Sequence, residues 1–191
     1  GGAWSEIKSI TLDGSSTTAS FVHGASDVTL DSTYPIYCFQ FINIHPSAED
    51  SGGQHFTMNG SIDSGSNYNV AKTSTHLRHY IDEPGNVTNV NKWSDYDLGN
   101  ETGAQVMASM LGAGNDEAYS GHMFLYNPGS TTFVKHYHSY MTGNFFSEYA
   151  VSDRPSGYFN TTSAIDAIQF GLTVAGNLDL HKIKLFGLKD S

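Results

Sequence analysis

Residues 157–188 read "GYFNTTSAIDAIQFGLTVAGNLDLHKIKLFGL". Within this stretch Ile168, Phe170, Leu172 and Val174 alternate with Gln169, Gly171 and Thr173. A period of two marks a strand with one face buried. Ala175-Gly176-Asn177 is turn chemistry, because Gly and Asn accept positive φ. A second strand-like run, Leu178 to Phe186, follows at once. The pair predicts a β-hairpin and places the end of the chain in a sheet rather than in a polar tail.

The same reading extends upstream. "YPIYCFQFINI" (34–44) is apolar on both faces, with Ile36, Cys38 and Ile42 on one and Tyr37, Phe39 and Phe41 on the other. That composition predicts a central strand covered on both sides. Pro35 stands at its start, where a missing N–H does least harm. "YNVAKTSTHLRHYI" (68–81) is the longest alternating run. Further strand candidates are 5–12, "TASFVHG", "SDVTLDS", 54–62, 119–127, 131–141 and 145–152, with turns at 13–16, 63–69, 82–89 and 128–130 and a loop at 45–53. Residues 90–118 are the least readable, and "GAQVMASML" (103–111) fits a short helix or a strand. Roughly ten to eleven strands at intervals of about 10–15 residues, with no βαβ rhythm, predict an all-β antiparallel β-sandwich, jelly-roll-like, as a single domain over residues 1–191. Core positions are Tyr37, Phe39, Phe41, Ile168, Phe170 and Leu172.

Composition agrees. The chain has 20 Gly, 11 Tyr, 11 Phe and only 15 % charged residues, a mix that favours strands and turns over helices. A net charge of −10 opposes binding to a phosphate backbone or an anionic membrane surface. No apolar run reaches the length of about 18 residues that a transmembrane helix needs. The single cysteine, Cys38, cannot form an intrachain disulfide and reads as a small buried hydrophobe. No signal-peptide pattern is visible, and Gly1-Gly2 implies a processed, trimmed or leftover N-terminus. The sequons at Asn86, Asn100 and Asn160 are what an Asn- and Thr-rich chain produces by chance.

The chemistry-bearing patterns are sparse. His136 and His138 share a strand face and present two imidazoles, but a zinc site needs a third or fourth ligand, and packed or surface histidines are the competing reading. "DSGSNYN" (63–69) lacks the later acidic positions of a calcium loop and reads as a hairpin turn. Neither a nucleophile elbow nor a P-loop is present. Paired acids such as Asp95 and Asp97, or Asp116 and Glu117, carry no pattern beyond being acids. The expectation is a non-enzyme without metal or cofactor. "NKWSDYD" (91–97) sets Trp93 and Tyr96 beside Asp95 in a loop, as a ligand-contact stretch for glycans or as a peripheral core anchor.

Taken in order, "SFVHGASDVTLDSTYPIYCFQFINIHP", "SGSNYNVAKTS", "LYNPGSTTFVKHY" and "GYFNTTSAIDAIQF…GNLDLHKIKLFGL" resemble segments of tailed-bacteriophage virion proteins of the tail fibre or appendage type, especially those of marine phages. The likeness spans about Ser20 to Leu188 and is weakest over 90–118. It implies a structural β-domain of the virion, assembled in the bacterial host cytoplasm as a homotrimer beside other virion proteins, with a role in host attachment through receptor or carbohydrate binding. It supplies no catalytic residues. The competing expectations are a capsid decoration protein without a ligand and a stand-alone carbohydrate-binding module.

Overall fold

The computed structural model describes residues 3–48, 53–174, 176–179 and 181–189. Fourteen strands and one 3-10 turn account for its regular structure. In chain order they are β1 (Trp4–Leu12), β2 (Thr18–Val22), β3 (Ile36–Pro46), β4 (Gln54–Ser61), β5 (Lys72–Asp82), β6 (Thr88–Lys92), the turn Ser94–Tyr96, β7 (Leu98–Glu101), β8 (Gln105–Leu111), β9 (Tyr119–Tyr126), β10 (Lys135–Phe145), β11 (Tyr149–Phe159), β12 (Ala167–Leu172), β13 (Leu178–Asp179) and β14 (His181–Leu188).

The strands form two antiparallel sheets. The large one runs β1-β14-β3-β9-β10-β11-β5-β6, with β13 on β3 and β7 on β5; the small one runs β2-β12-β4-β8. Eight of the strands, β1, β2, β3, β4, β8, β9, β12 and β14, make two four-stranded layers, β1-β14-β3-β9 and β2-β12-β4-β8. Every step along those eight crosses from one layer to the other except β4 to β8, which are paired neighbours in the small layer, and this is jelly-roll connectivity. The remaining strands are insertions. Those between β4 and β8, and between β9 and β12, widen the large sheet beyond β9.

This connectivity corrects the expected hairpin at the end of the chain. β12 pairs with β2 and β4 in the small sheet, whereas β14 pairs with β1 and β3 in the large one. Gly176, at φ +119°, and Asn177 do bend the chain, but the bend carries it across the sandwich. Asn177 anchors the crossing, donating from Nδ2 to the Gly14 carbonyl at 2.5 Å and from its N–H to Ser47 Oγ at 2.9 Å. Ala175 lies outside the described residues. The turn at 63–69 likewise joins β4 to β5, strands of different sheets, rather than closing a hairpin. Local turn chemistry reports that the chain bends, not which sheet receives the next strand.

The core lies between the layers. Phe170 packs against Phe41, Phe39, Phe56 and Phe21, with ring centroids 5.0, 5.1, 5.6 and 6.3 Å away. Most of these contacts are edge-to-face, the arrangement the ring quadrupole favours. Tyr37, Phe39, Phe41, Ile168 and Phe170 are buried, and Leu172 packs half-buried at the margin. The segment 26–32 is not a strand: Ser26 and Asp27 have positive φ, and a bend delivers Val28 and Leu30 into the core.

β3 is central, and its second face is covered only at Cys38. Tyr37, Phe39 and Phe41 point into the sandwich, while Gln40 and Ile42 on the opposite face are exposed. β5 shows an inversion of ordinary patterning. Lys72, His76 and Arg78 are buried between the layers, and Leu77 and Ile81 face outward, exposed. The core face of the inserted part of the large sheet therefore mixes these polar groups from β5 with apolar Met141 and Val151 from β10 and β11.

Candidate functional site

The face of the large sheet turned away from the core carries a groove of about 570 Å³. Its pattern follows from strand register. One row across β14, β3, β9 and β10 is Phe186, Cys38, Phe124 and His138. The next row, two residues along, is Lys184, Gln40, His122 and Tyr140. Small Cys38 and flexible Gln40 lie between larger rings, which opens the trough. Trp4 closes one end, its ring 6.0 Å from that of Phe124.

The rings support one another. Phe124 lies 5.0 Å from His122 and 5.2 Å from His138, and the Arg154 guanidinium sits 4.7 Å over the ring of Tyr140. Beyond the groove, His138 stacks with Tyr126 at 5.8 Å. A bulge in β3 between Phe41 and Ile44 bends the groove's edge, where Asn43 at φ +47° donates its N–H to Ser120 Oγ at 2.9 Å. Bulges commonly re-aim side chains beside binding sites. The rail of rings offers apolar faces, and the rail of Gln40, His122 and Tyr140 offers hydrogen-bonding groups. Burial, and His138 beside it, hold the His122 pKa below its usual value, so near neutral pH this imidazole both donates and accepts. Burial pushes the Cys38 thiol up to about 11, which leaves it protonated and unreactive.

The residues singled out from sequence lie elsewhere. Trp93 ends the link from β6, and Tyr96 and Asp95 form the 3-10 turn. Trp93 stacks on Tyr96 at 5.8 Å and 8°. Tyr96 is half-buried, with its hydroxyl 3.4 Å from His55 Nε2 and its ring 5.3 Å from His76, while Asp95 is exposed. Asp97 secures the segment by accepting the His76 N–H at 2.8 Å and pairing with Lys92 Nζ at 2.6 Å. Trp93 and Tyr96 are thus brought together, on a different surface from the groove. His136 and His138 do share the outer face of β10, and among the described residues no three His, Cys, Asp or Glu side chains converge as a metal site. Asp63 is occupied within its own turn, accepting from Ser61 Oγ and from the Asn67 backbone and amide.

A buried polar cluster underlies this end of the sandwich. Asp153 accepts from His76 Nε2 at 2.8 Å and, through Oδ2, from the Ser109 N–H and Oγ at 2.8 and 2.9 Å. Ser, His and Asp are present, but the carboxylate stands between the other two. The imidazole is not placed to take the serine proton, so this is not a nucleophile–base relay. Its structural role is visible: β8 is an edge strand of the small sheet, and Asp153 satisfies an N–H that has no strand partner.

Compared with known protein families, curated proteins and solved structures, the chain gives no match.

Proposed function

We propose that this chain is a non-catalytic attachment domain of a phage virion, of tail fibre or appendage type, which recognises host-surface carbohydrate through the outer groove of its large sheet. The observation that carries the reading is the pair of registered rows, Phe186-Cys38-Phe124-His138 beside Lys184-Gln40-His122-Tyr140. A sugar presents an apolar C–H face and a rim of hydroxyls, and these rails match both. The groove volume of about 570 Å³ falls within the range of roughly 300–1,000 Å³ typical of small-molecule sites. A rigid sheet holds the rings with little ordering cost on binding. The resemblance to phage structural proteins supplies the virion setting and the trimer. Exposed Leu77, Ile81 and Val90, near the β6 edge, support a self-associating face. Three copies would raise the occupancy of a weak single site through effective concentration.

The test is binding of the purified domain to a panel of neutral oligosaccharides, with a Phe124→Ala/Tyr140→Ala variant alongside. Binding by the native chain and its loss in the variant is the expected result. Unchanged binding by the variant would remove the groove, and no binding at all would favour a decoration protein. A monomeric mass in solution together with glycan binding would favour a stand-alone carbohydrate-binding module.

A further inference from the structure

Arg78 is 2 % exposed, yet among the described residues no oxygen accepts a hydrogen bond from it. Its Nη1 meets only the thioether of Met110, at 3.1 Å, and its Nε has no partner. A thioether is a weak acceptor. Asp153 lies 3.9 Å from Nε, close enough to offset charge but beyond hydrogen-bond range. Its carboxylate is already engaged by His76 and Ser109. The guanidinium is therefore compensated in charge and unsatisfied in hydrogen bonding, a costly state for a buried group.

The same side chain lines a pocket of about 260 Å³. Trp93, Phe145 and Tyr80 surround the guanidinium, with ring centroids 4.7, 5.0 and 5.5 Å from Cζ. Guanidinium N–H bonds lie in its plane, so stacked rings leave them unsatisfied. Tyr149 and Val87 complete an apolar wall. Met110, at φ +62° in the β8 bulge, supplies the floor and is held there by its N–H donating to His55 Nδ1 at 3.0 Å.

We propose that this pocket binds the carboxylate of an acidic sugar. A carboxylate offers two coplanar acceptors to the free N–H groups of Arg78, and the pyranose ring then lies against Trp93 and Tyr149. A single negative charge fits, because Asp153 already offsets part of the cation and the chain carries a net charge of −10. A phosphate dianion would add a second charge beside Asp153. The site is separate from the outer groove and stands whether or not the groove binds sugar.

Titration of the purified chain with sodium glucuronate, with glucose and with sodium chloride at matched ionic strength tests this by calorimetry or amide chemical shifts. Saturable binding of glucuronate and none of glucose is expected. Trp93→Ala should weaken glucuronate by roughly tenfold or more, the scale of a lost stacking and cation–π contact. Arg78→Lys, which keeps the charge but loses the fork, should do the same. Phe124→Ala should leave glucuronate binding unchanged, which separates this pocket from the groove. If Arg78→Lys fails to fold, as circular dichroism would show, Trp93→Ala still decides. No saturable binding, equal binding of glucose, or full affinity in Trp93→Ala would overturn the proposal.

Discussion

His76 Nε2 donates to Asp153 Oδ1 across 2.8 Å, with both side chains fully buried. The bond joins β5 to β11, neighbours in the inserted part of the large sheet, and Asp153 ties both to β8 of the small sheet. Among the described residues His76 Nδ1 has no partner, so the cluster's hydrogen bonding runs through Nε2. Asp153→Asn removes the only carboxylate beside Arg78 among the described residues and leaves a buried cation uncompensated. The expected cost is about 3–5 kcal/mol, the range for breaking a buried pair from one side. Urea unfolding would measure it; a loss under about 1 kcal/mol would show that water relieves the site.

Phe170 touches four other rings at the centre of the sandwich. Phe170→Ala should cost about 3–5 kcal/mol through lost transfer energy and the cavity left behind. Ile168→Val, one methylene smaller in the same strand, should cost only about 0.5–1.5 kcal/mol. Equal losses from the two would mean that the core repacks around the larger gap.

Lys72 donates from Nζ to Asn59 Oδ1 at 2.6 Å and to the Val70 carbonyl at 2.8 Å, with no carboxylate beside it among the described residues. Burial lowers its pKa from 10.5 to about 8. Between those values the unfolded chain holds more protons than the folded one, so stability contributed by this group rises with pH. Tyr37 acts oppositely: burial raises it from 10.0 to about 12, so above pH 10 the folded chain holds the extra proton and stability falls as pH rises. Cys38, raised by burial from 9.0 to about 11, acts like Tyr37 from pH 9 upward. Stability should therefore climb from about pH 8 to pH 9, level off where Lys72 and Cys38 oppose each other, and fall above pH 10. Lys72→Met should flatten the climb, as followed by denaturant midpoints at successive pH values.

His55 accepts the Met110 N–H through Nδ1, a bond available only to the neutral ring. Burial is the largest influence on its pKa, which lies below the model-peptide 6.5. On acidification the unfolded chain takes up this proton first, so stability falls as pH drops below 6.5. A melting temperature that stayed level from pH 7 to 5 would refute this, and His55→Gln should reduce the slope.

Strand content was legible because a period of two is a local property of extended backbone, and Ile168, Phe170 and Tyr37 show it without reference to neighbours. The sequence was less legible at 90–118, where β6, a 3-10 turn, β7 and β8 follow in short pieces. The loop 91–97 was singled out by its rings, but not its link to Arg78, since Trp93 and Arg78 meet only when β5 pairs with β6.

By itself the sequence determined the all-β class, the aromatic core strands and a net charge of −10. Tertiary structure alone decided which sheet each strand joined and which face of β5 was buried. Hydropathy would place Leu77 and Ile81 inside, yet Lys72, His76 and Arg78 lie there. Asp153, beside His76 and Arg78, arrives from 77 residues beyond His76, and no local periodicity encodes a carboxylate at that distance. The groove has the same origin. Phe124, His138, Phe186 and Cys38 are separate residues on four strands until backbone hydrogen bonding sets them in one row.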